Sequence, residues 1–357
     1  MIQMIDTPDA PAFQTLSQRL VELGKTLDRP DAWPHEQLTE CGRAGVYRWF
    51  HSPDWGGLDW SPVDRIKGYM QLSAACLTTT FVITQRTGAC QRIERSENEA
   101  LKSRLLPDLV SGRSFATVGI SHLTTSRQHI GQPTLRAQEV AGGFELEGFS
   151  PWVTGVPFAE HVVIGATLAD GRQILAALPT QLDGVSIPAT PELVGLSASQ
   201  TGRLECDKVF LSKDFLLYGP DENVMKHGTG GNTGGLQTST LALGLARGAI
   251  DFLGQQAERR ELLTEPAVSL EAEWNQCADR LYAMADGESP CSSEELRQQA
   301  NRLALNATQS ALTAAKGTGY LVGHPAGRWC REALFFLVWS CPQPVAQAHL
   351  CELAGLS

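Results

Sequence analysis

The spacing of apolar residues changes twice along the chain, and this constrains the fold more than any single motif does. Up to residue 112, apolar side chains recur at helical spacing, as Leu16, Leu20 and Leu23 do in FQTLSQRLVELGKTL. Residues 113–215 break into short β-rich runs between Gly and Pro turns, and from 236 onward helical spacing returns. We therefore predict an α+β fold with an N-terminal helical domain at 1–112, a middle β-barrel or β-sandwich domain at 113–218 and a C-terminal helical bundle at 219–357.

Local signals predict where individual helices begin and end. The run YMQLSAACLTTTFVITQRTGACQRI is apolar nearly all round and predicts one buried helix. The next helix, in SENEALKSRLLPDLVSG, is predicted to begin at a Ser cap and to stop at Pro107 and Gly112. A capping box from Ser292 to Glu295 predicts the start of a long helix, and WCREALFFLVWS predicts the final one.

Charge and composition exclude several classes of partner. The 357 residues include 29 basic and 39 acidic side chains, and a net charge of −10 argues against nucleic acid or an anionic membrane as the main partner. We find no signal peptide pattern and no stretch near the roughly 20 apolar residues of a membrane span. The nine cysteines are scattered without a CxxC pair, which predicts reduced thiols, no metal site and a cytoplasmic location.

The segment FSPWVTGVPFAEHVVIGA, residues 149–166, contains an unusual end to a predicted strand. Trp152 and Thr154 are two residues apart, so on a strand the indole and the hydroxyl share one face. That face either belongs to the core, with an incidental threonine, or lines a site for a flat ligand with polar edges. The residues alone leave both interpretations open.

Six segments, in the right order, resemble the acyl-CoA dehydrogenase family. GGFELEGFSPWVT is similar to the family's ggyvLNGxKxWIT hairpin, and LVGLSASQTGRLECDKVFLSKDFLLYG is similar to lGlrgSxTxxlxFddVxVPxxnllG. The other four segments are AGVYRWFHSPDWGGLDWS, LKSRLLPDLVSGRSFATVGIS, LALGLARGAIDFLGQQAERR and GTGYLVGHPAGRWCREA. Together they cover roughly residues 35–335 and are specific for the family's fold.

The resemblance implies a flavoprotein that binds FAD and dehydrogenates the α,β CH–CH bond of an acyl thioester, with hydride transfer to flavin N5. It also implies a homodimer or homotetramer. The family's Trp-x-Thr strand lies beside the isoalloxazine ring, so Trp152 is expected to pack on the ring edge and the Thr154 hydroxyl to bond near N5. By the same resemblance, Ser121, Arg260 and Gly317 fall on further cofactor-binding positions.

The sequence differs from the family at the positions of the catalytic base. The family base is a glutamate, and its usual position falls on Ser340 when counted from Arg331 and Glu332. A second family position, early in the first C-terminal helix, reads GGLQTSTLALG and contains no acid. Neither position carries a carboxylate, and a serine hydroxyl is not such a base unaided.

Several residues that are expected to contact FAD are also replaced. In segments that hold the adenylate half in the family, Thr264 replaces a glycine, Thr313 a glutamine and Lys316 a glycine. FMN or the absence of a cofactor are therefore alternatives to FAD. On the predicted flavin strand, His122 replaces a glutamate and Arg127 a serine.

His122 is the first ionisable candidate for a relocated base, because imidazole titrates near neutrality. Its structural alternative is a hydrogen-bonded histidine that faces away from Ser121, as neighbours on a strand do. Arg127 and Arg203 are candidates for contact with phosphates of a CoA-like substrate, against the alternative of ordinary exposed arginines.

Three functions remain open at this point. The first is a flavin dehydrogenase with a relocated base. The second is a flavin monooxygenase on the same fold, which needs no α-proton base. The third is a degenerate member that binds an acyl thioester or a partner without turnover.

Overall fold

The computed structural model describes residues 3–29, 31–124, 133–227, 235–339, 341 and 343–356. Within them a helical N-terminal region is followed by a mixed β-sheet and then by a second helical region. The predicted α+β fold class is therefore confirmed. We retain 1–112, 113–218 and 219–357 as proposed domain limits, although the last sheet strand runs to Asp221.

The N-terminal region packs its helices around an aromatic cluster. Trp49 stacks on Trp60 with ring centroids 4.2 Å apart. The Trp49 Nε1–H donates to the Ile5 carbonyl at 2.9 Å, so the buried indole keeps its one donor satisfied. The helices are α1 (Pro11–Gly24), α2 (His35–Arg43), α3 (Pro62–Ala75), α4 (Leu77–Arg95) and α5 (Glu99–Ser111).

Two helix predictions in this region are wrong. The apolar run forms α3 and α4 rather than one helix, because Cys76 adopts an extended backbone between them. The cap of α5 is Asn98, whose side chain accepts from the Leu101 N–H, and α5 continues through Pro107, although its predicted stop at Gly112 is confirmed. Pro107 lies on the exposed side of α5, so water can satisfy the carbonyl that loses its helical donor.

The eight strands of the described residues form one mixed sheet. Its order is β6-β7-β3-β2-β4-β5-β8, and β1 pairs in parallel with β4. Along β4, Val162 and Ile164 face an inner core, whereas Val163 packs on the opposite side with side chains of α4 and α5. The strands are β1 (Ala116–Gly119), β2 (Leu135–Val140), β3 (Gly143–Val153), β4 (His161–Thr167), β5 (Gln173–Pro179), β6 (Val185–Ser186), β7 (Gly202–Ser212) and β8 (Leu216–Asp221), with a one-turn helix α6 (Ser121–Thr124) after β1.

The C-terminal region is built around one central helix. Gly244 and Gly248 let that helix approach α3 closely, since an added Cβ would lie 2.5 Å from Ser73 Cβ at the first and 2.7 Å from the Ala74 oxygen at the second. The capping box of Ser292 and Glu295 is confirmed. The helices are α7 (Leu236–Ala257), α8 (Thr264–Ala285), α9 (Ser293–Ala315), α10 (Pro325–Ala333) and α11 (Gln343–Leu353).

The predicted final helix is not the last one, because α11 follows α10. Within the predicted segment, WCREALFFLVWS, residues 329–333 form the second half of α10 and Leu334–Leu337 form a 3-10 turn. Among the helices of the described residues, none combines the length and hydrophobicity that a membrane span requires.

Candidate functional site

The end of β3 has an irregular backbone at Trp152. The pairing of β3 with β7 shifts register between Ser150 and Val153. Trp152 has a φ of 55°, in the left-handed region that non-glycine residues rarely adopt. Its side chain is left 57% exposed. A large indole held at a costly backbone angle and only half covered is unusual in a core, and such strain clusters at ligand sites.

Thr154 lies one residue beyond β3 and has a different environment. It is 2% exposed, and its Oγ1 lies 3.0 Å from Thr201 Oγ1, which in turn lies 2.8 Å from Ser199 Oγ. Regular strand alternation does not extend through the bulge to Thr154, so the prediction of a shared face with Trp152 fails. Two hydrogen bonds among three hydroxyls use two of the three protons, which leaves one proton to donate elsewhere.

Ser121 lies beside this segment, although not on a strand. It opens α6, and its Oγ donates to the Pro151 carbonyl at 3.1 Å. The structure therefore brings Ser121 to the residue that precedes Trp152. The prediction that Ser121 lies on a strand is wrong, because β1 ends at Gly119.

His122 has the properties of a structural, hydrogen-bonded histidine rather than those of a base. Its Nε2 lies 2.8 Å from the Gly165 carbonyl, so Nε2 carries the proton and donates. Burial lowers the pKa of His122 and the Gly165 bond only opposes this, so the ring is neutral at neutral pH. Nδ1 is buried and has no hydrogen-bond partner among the described residues. A base needs an exposed lone pair, which this nitrogen lacks.

Arg260 and Gly317 come together at one end of the C-terminal bundle. Arg260 Nη1 donates to the Ala314 carbonyl at 2.8 Å, and Nη2 donates to Gln256 Oε1 at 2.7 Å. Gly317 is in the 3-10 turn that follows, and nothing lies within 4 Å of the place a Cβ would take. Gly317 is therefore open, whereas Arg260 is engaged within the chain.

The remaining predicted site residues differ in what can be said of them. Arg203 is exposed and forms an ion pair with Glu205, with 2.6 Å between Nη2 and Oε1. Arg127 and Ser340 lie outside the described residues. Just before Ser340, Trp339 stacks on Phe335 at 4.9 Å and meets Phe81 edge-on at 5.1 Å, so the preceding residue belongs to an apolar aromatic cluster.

A cavity of about 290 Å³, which we call the junction cavity, lies where the three regions meet. Residues after α1 and at the start of α4 form one side, and α10 forms another. The third side is the loop at 192–197, which leads through Ser199 to the hydroxyl chain of Thr154. Its polar lining includes Asp28, Thr78, Arg328, Arg331 and Glu332.

Glu332 is the most deeply buried ionisable group of the junction cavity. It is 2% exposed, and its Oε1 accepts from Thr78 Oγ1 at 2.9 Å and lies 3.9 Å from Arg328 Nε. Burial raises the pKa of Glu332, and the nearby Arg328 only reduces this effect. A buried carboxyl with a raised pKa that lines a cavity is a functional-site candidate.

Reasoning from the sequence missed Glu332. Its spacing of four from Arg328 is typical of an exposed helix pair. The neighbouring Arg331 forms an ion pair with Asp28, with 2.6 Å between Nη2 and Oδ1. The only sequence signal for burial was the set of alanines at 326 and 333 on the same short helix.

The protein combines helical, β-sheet and helical regions, in this order, with an exposed tryptophan and a chain of hydroxyl groups at one end of the sheet. A sequence model described as acyl-CoA dehydrogenase, N-terminal domain, matches residues 12–113. This match, together with the relatives described next, indicates the acyl-CoA dehydrogenase family, whose members are flavoproteins.

Individual relatives are distant in sequence but similar over most of the chain. A probable acyl-CoA dehydrogenase, YngJ, of Bacillus subtilis is 21% identical over 329 residues, which is 86% of each chain. The structure of a glutaryl-coenzyme A dehydrogenase in complex with glutaryl-CoA superimposes with a TM-score of 0.80 at 15% identity, covering 98% of this chain and 96% of that one. A nitrososynthase from Micromonospora carbonacea var. africana gives a TM-score of 0.74 at 19% identity, covering 98% and 99%.

Proposed function

We propose that this protein is a flavin-dependent oxidoreductase of acyl-CoA dehydrogenase type that acts on the CH–CH group of an acyl thioester. The observation that carries the proposal is the exposed Trp152 at the strained end of β3, at the position where the family packs a tryptophan on its flavin. The similarity to the family suggests the class of reaction, and the exposed indole suggests where the flavin would bind.

The residues around Trp152 fit one edge of a flat heterocycle. The half-exposed indole offers an aromatic face, and the hydroxyl chain that begins at Thr154 retains one proton to donate. A bound flavin would supply two-electron redox chemistry at this wall. Ser121 donates to the Pro151 carbonyl and so holds the segment before Trp152. Its proposed role is to position the residues that would contact the flavin.

The adenylate half of FAD fits less well than the ring. Arg260 already donates to Ala314 and Gln256, so its guanidinium would have to share or exchange these bonds to reach a phosphate. Gly317 does offer open space beside it. We propose FAD as the cofactor, with FMN as the alternative that needs no adenylate contacts.

The proposed substrate is an acyl thioester, and Arg203 and Arg127 are its proposed phosphate contacts. We also propose a cytoplasmic homodimer or homotetramer. Tyr320, Leu321 and Val322 are consecutive exposed apolar residues next to Gly317, and such a patch supports burial by a second copy. The apolar face of α7 does not contribute to this proposal, because α3, α8 and α9 already cover it.

The dehydrogenase proposal requires a base at a place other than the two family positions. A flavin monooxygenase is the second candidate, and the serine at position 340 favours it, because such an enzyme needs no carboxylate there. A binding protein without turnover remains the third.

One purified sample can separate the three candidates. The absorption spectrum tests whether a flavin is bound, and anaerobic addition of an acyl-CoA tests whether the substrate reduces it. Bound flavin that an acyl-CoA bleaches supports the dehydrogenase. Bound flavin that only an external reductase bleaches supports the monooxygenase, and a colourless protein that takes up neither FAD nor FMN refutes both.

A further inference from the structure

The junction cavity contains an unpaired cationic donor. Arg328 is 6% exposed, and its Nη1 donates to the carbonyl of Gly24, the last residue of α1, at 2.6 Å. Gly24 leaves room for this, since an added Cβ would lie 3.3 Å from Nη1. Arg328 Nε has no hydrogen-bond partner among the described residues, and its 3.9 Å separation from Glu332 Oε1 is too long for one. A buried N–H without an acceptor is costly, and an acceptor from a ligand would remove that cost.

Glu332 supplies the complementary group. Thr78 donates to its Oε1, and no donor to the second carboxyl oxygen is found in the described part of the chain. Because burial raises the pKa of Glu332, its carboxyl group takes up a proton more readily than an exposed glutamate does, and the second oxygen can then donate that proton to a bound anion. Beside such an anion the floor of the cavity therefore offers two donors, one on the Arg328 guanidinium and one on the protonated carboxyl group of Glu332.

The other charged and titratable groups around Glu332 are paired, neutral or at the rim, so the charge at the floor of the cavity allows one anion to bind. On its own helix, Arg331 is paired with Asp28, which follows α1, at 2.6 Å. Cys76, before α4, is a neutral thiol, since burial raises its pKa. Glu192 lies at the exposed rim on the facing loop. Arg328 is thus the cation at the floor whose charge a ligand anion would balance.

We propose that the junction cavity binds a short-chain monocarboxylic acid, with its carboxylate held by Arg328 and Glu332. In the complex the carboxylate accepts from the Arg328 Nε–H, which thereby gains an acceptor, and from the proton that Glu332 takes up when the ligand binds. The walls between floor and rim are apolar, and they suit an alkyl tail. They consist of Leu27, Leu193, Val194, Leu196 and Val322.

The size of the cavity limits the tail. Small-molecule sites usually have about 300–1,000 Å³, and the 290 Å³ of the junction cavity lies just below that range. Hexanoate is therefore a suitable probe. Its carboxylate sits beside Glu332, and two carboxyl groups in contact hold one proton between them, so binding should take up a proton from solvent at neutral pH.

The experiment is calorimetric titration of the full-length protein with hexanoate. We expect a dissociation constant of roughly 1 mM, within the range of very small ligands, and proton uptake detected by comparing buffers with different ionisation enthalpies. Glu332→Gln keeps a neutral donor, so it should retain binding and lose the proton uptake. Glu332→Ala should weaken binding about 10–100-fold, the equivalent of one charge-assisted hydrogen bond.

A second pair of variants tests binding at exposed residues, because substitutions at the buried floor could prevent folding. Val194 is 74% exposed and lines the cavity, so Val194→Trp should narrow the entrance and weaken hexanoate binding without disturbing the core. Val268 is 63% exposed on α8 and does not line the cavity, so Val268→Trp should bind as the natural protein does. Trp152→Ala should also leave hexanoate binding unchanged, which separates this site from the proposed flavin site.

Three results would overturn the proposal. One is an absence of hexanoate binding at 20-fold above the expected dissociation constant. Another is tighter binding of hexanamide than of hexanoate, which would mean that Glu332 stays ionised in the complex and accepts a hydrogen bond from the amide. The third is equal binding in Val194→Trp and Val268→Trp, which would put the ligand elsewhere.

Discussion

Arg260 Nη1 donates to the carbonyl oxygen of Ala314 at 2.8 Å, and this bond joins the end of α7 to the end of α9. The chain leaves α9 two residues later at Lys316, which has φ 55° and ψ −148°. Such a conformation is almost confined to glycine. The resemblance described above places a family glycine at Lys316, and the observed backbone, beside the open Gly317, is one that glycine adopts.

Lys316→Gly should stabilise the protein. Glycine adopts the observed backbone angles without a Cβ clash, so we expect the free energy of unfolding to rise by about 1–2 kcal/mol in urea titration. Lys316→Ala is the matched control, because alanine removes the charge and keeps the Cβ. An equal rise in both variants would show that the charge, and not the backbone, is responsible.

The buried pair of His51 and Glu94 should make stability depend on pH. His51 Nδ1 lies 2.7 Å from Glu94 Oε2. Burial alone lowers the pKa of His51, but the interactions with Cys90 and Glu94 outweigh it and raise the pKa. Burial alone raises the pKa of Glu94, but hydrogen bonds from His51 and the Ser52 N–H outweigh it and lower the pKa.

The signs of these shifts define a pH window. The contribution of His51 is complete below its unfolded pKa of about 6.5 and is lost as pH rises through the raised folded value. The contribution of Glu94 is present above its unfolded pKa of about 4.3 and is lost as pH falls through the lowered folded value. Both contributions are therefore complete only between about pH 4.3 and 6.5.

Glu94→Gln should lower the free energy of unfolding by about 1.5–3 kcal/mol near pH 6, the range for a hydrogen bond to a charged group. It should also reduce the decline in stability above pH 6.5, since His51 loses one of the two partners, Cys90 and Glu94, that raise its pKa. His227→Gln is the control, because His227 and Asp221 form a comparable pair at 2.8 Å that is half exposed. A decline that persists unchanged in Glu94→Gln would contradict this assignment.

Elements with local signals could be predicted from the sequence, and those fixed by distant contacts could not. The capping box of Ser292 and Glu295 is a four-residue pattern, and the structure contains it. The break at Cys76 has no Gly or Pro signal, and it coincides with burial of Cys76 against the N-terminal core. In general, apolar runs reveal burial but not where a buried helix bends.

The same distinction holds for the site. Trp152 stands out in the sequence by its neighbours, but its bulge depends on the pairing of β3 with β7. The burial of Glu332 depends on the loop at 192–197, which packs so closely on α10 that a Cβ on Gly195 would lie 2.6 Å from the Arg331 oxygen. Nothing near Glu332 in the sequence indicates that this loop covers it.

Trp152→Ala should weaken binding of FAD or FMN by about 1–3 kcal/mol, the scale of a lost aromatic contact. Because the side chain is 57% exposed, the free energy of unfolding without flavin should change by less than about 1 kcal/mol. Phe210→Ala is the matched control, since Phe210 is an exposed aromatic residue on β7. Equal flavin affinity in the two variants, measured by fluorescence titration, would remove Trp152 from the proposed wall.

The last prediction concerns the missing carboxylate. Ser340 follows Trp339, which packs against Phe335 and Phe81, so a glutamate introduced there is expected to have a raised pKa that suits a base. If no group elsewhere replaces this carboxylate, Ser340→Glu should accelerate anaerobic flavin bleaching by an acyl-CoA about 10²–10⁴-fold, the usual contribution of a positioned base. Ser340→Gln adds the same bulk without basicity and should give no gain. Rapid bleaching by the unmodified protein would mean that its base lies elsewhere. A lack of bleaching in all three forms, with flavin bound, would favour the monooxygenase, because positioning a base cannot help a reaction that has no α-proton to remove.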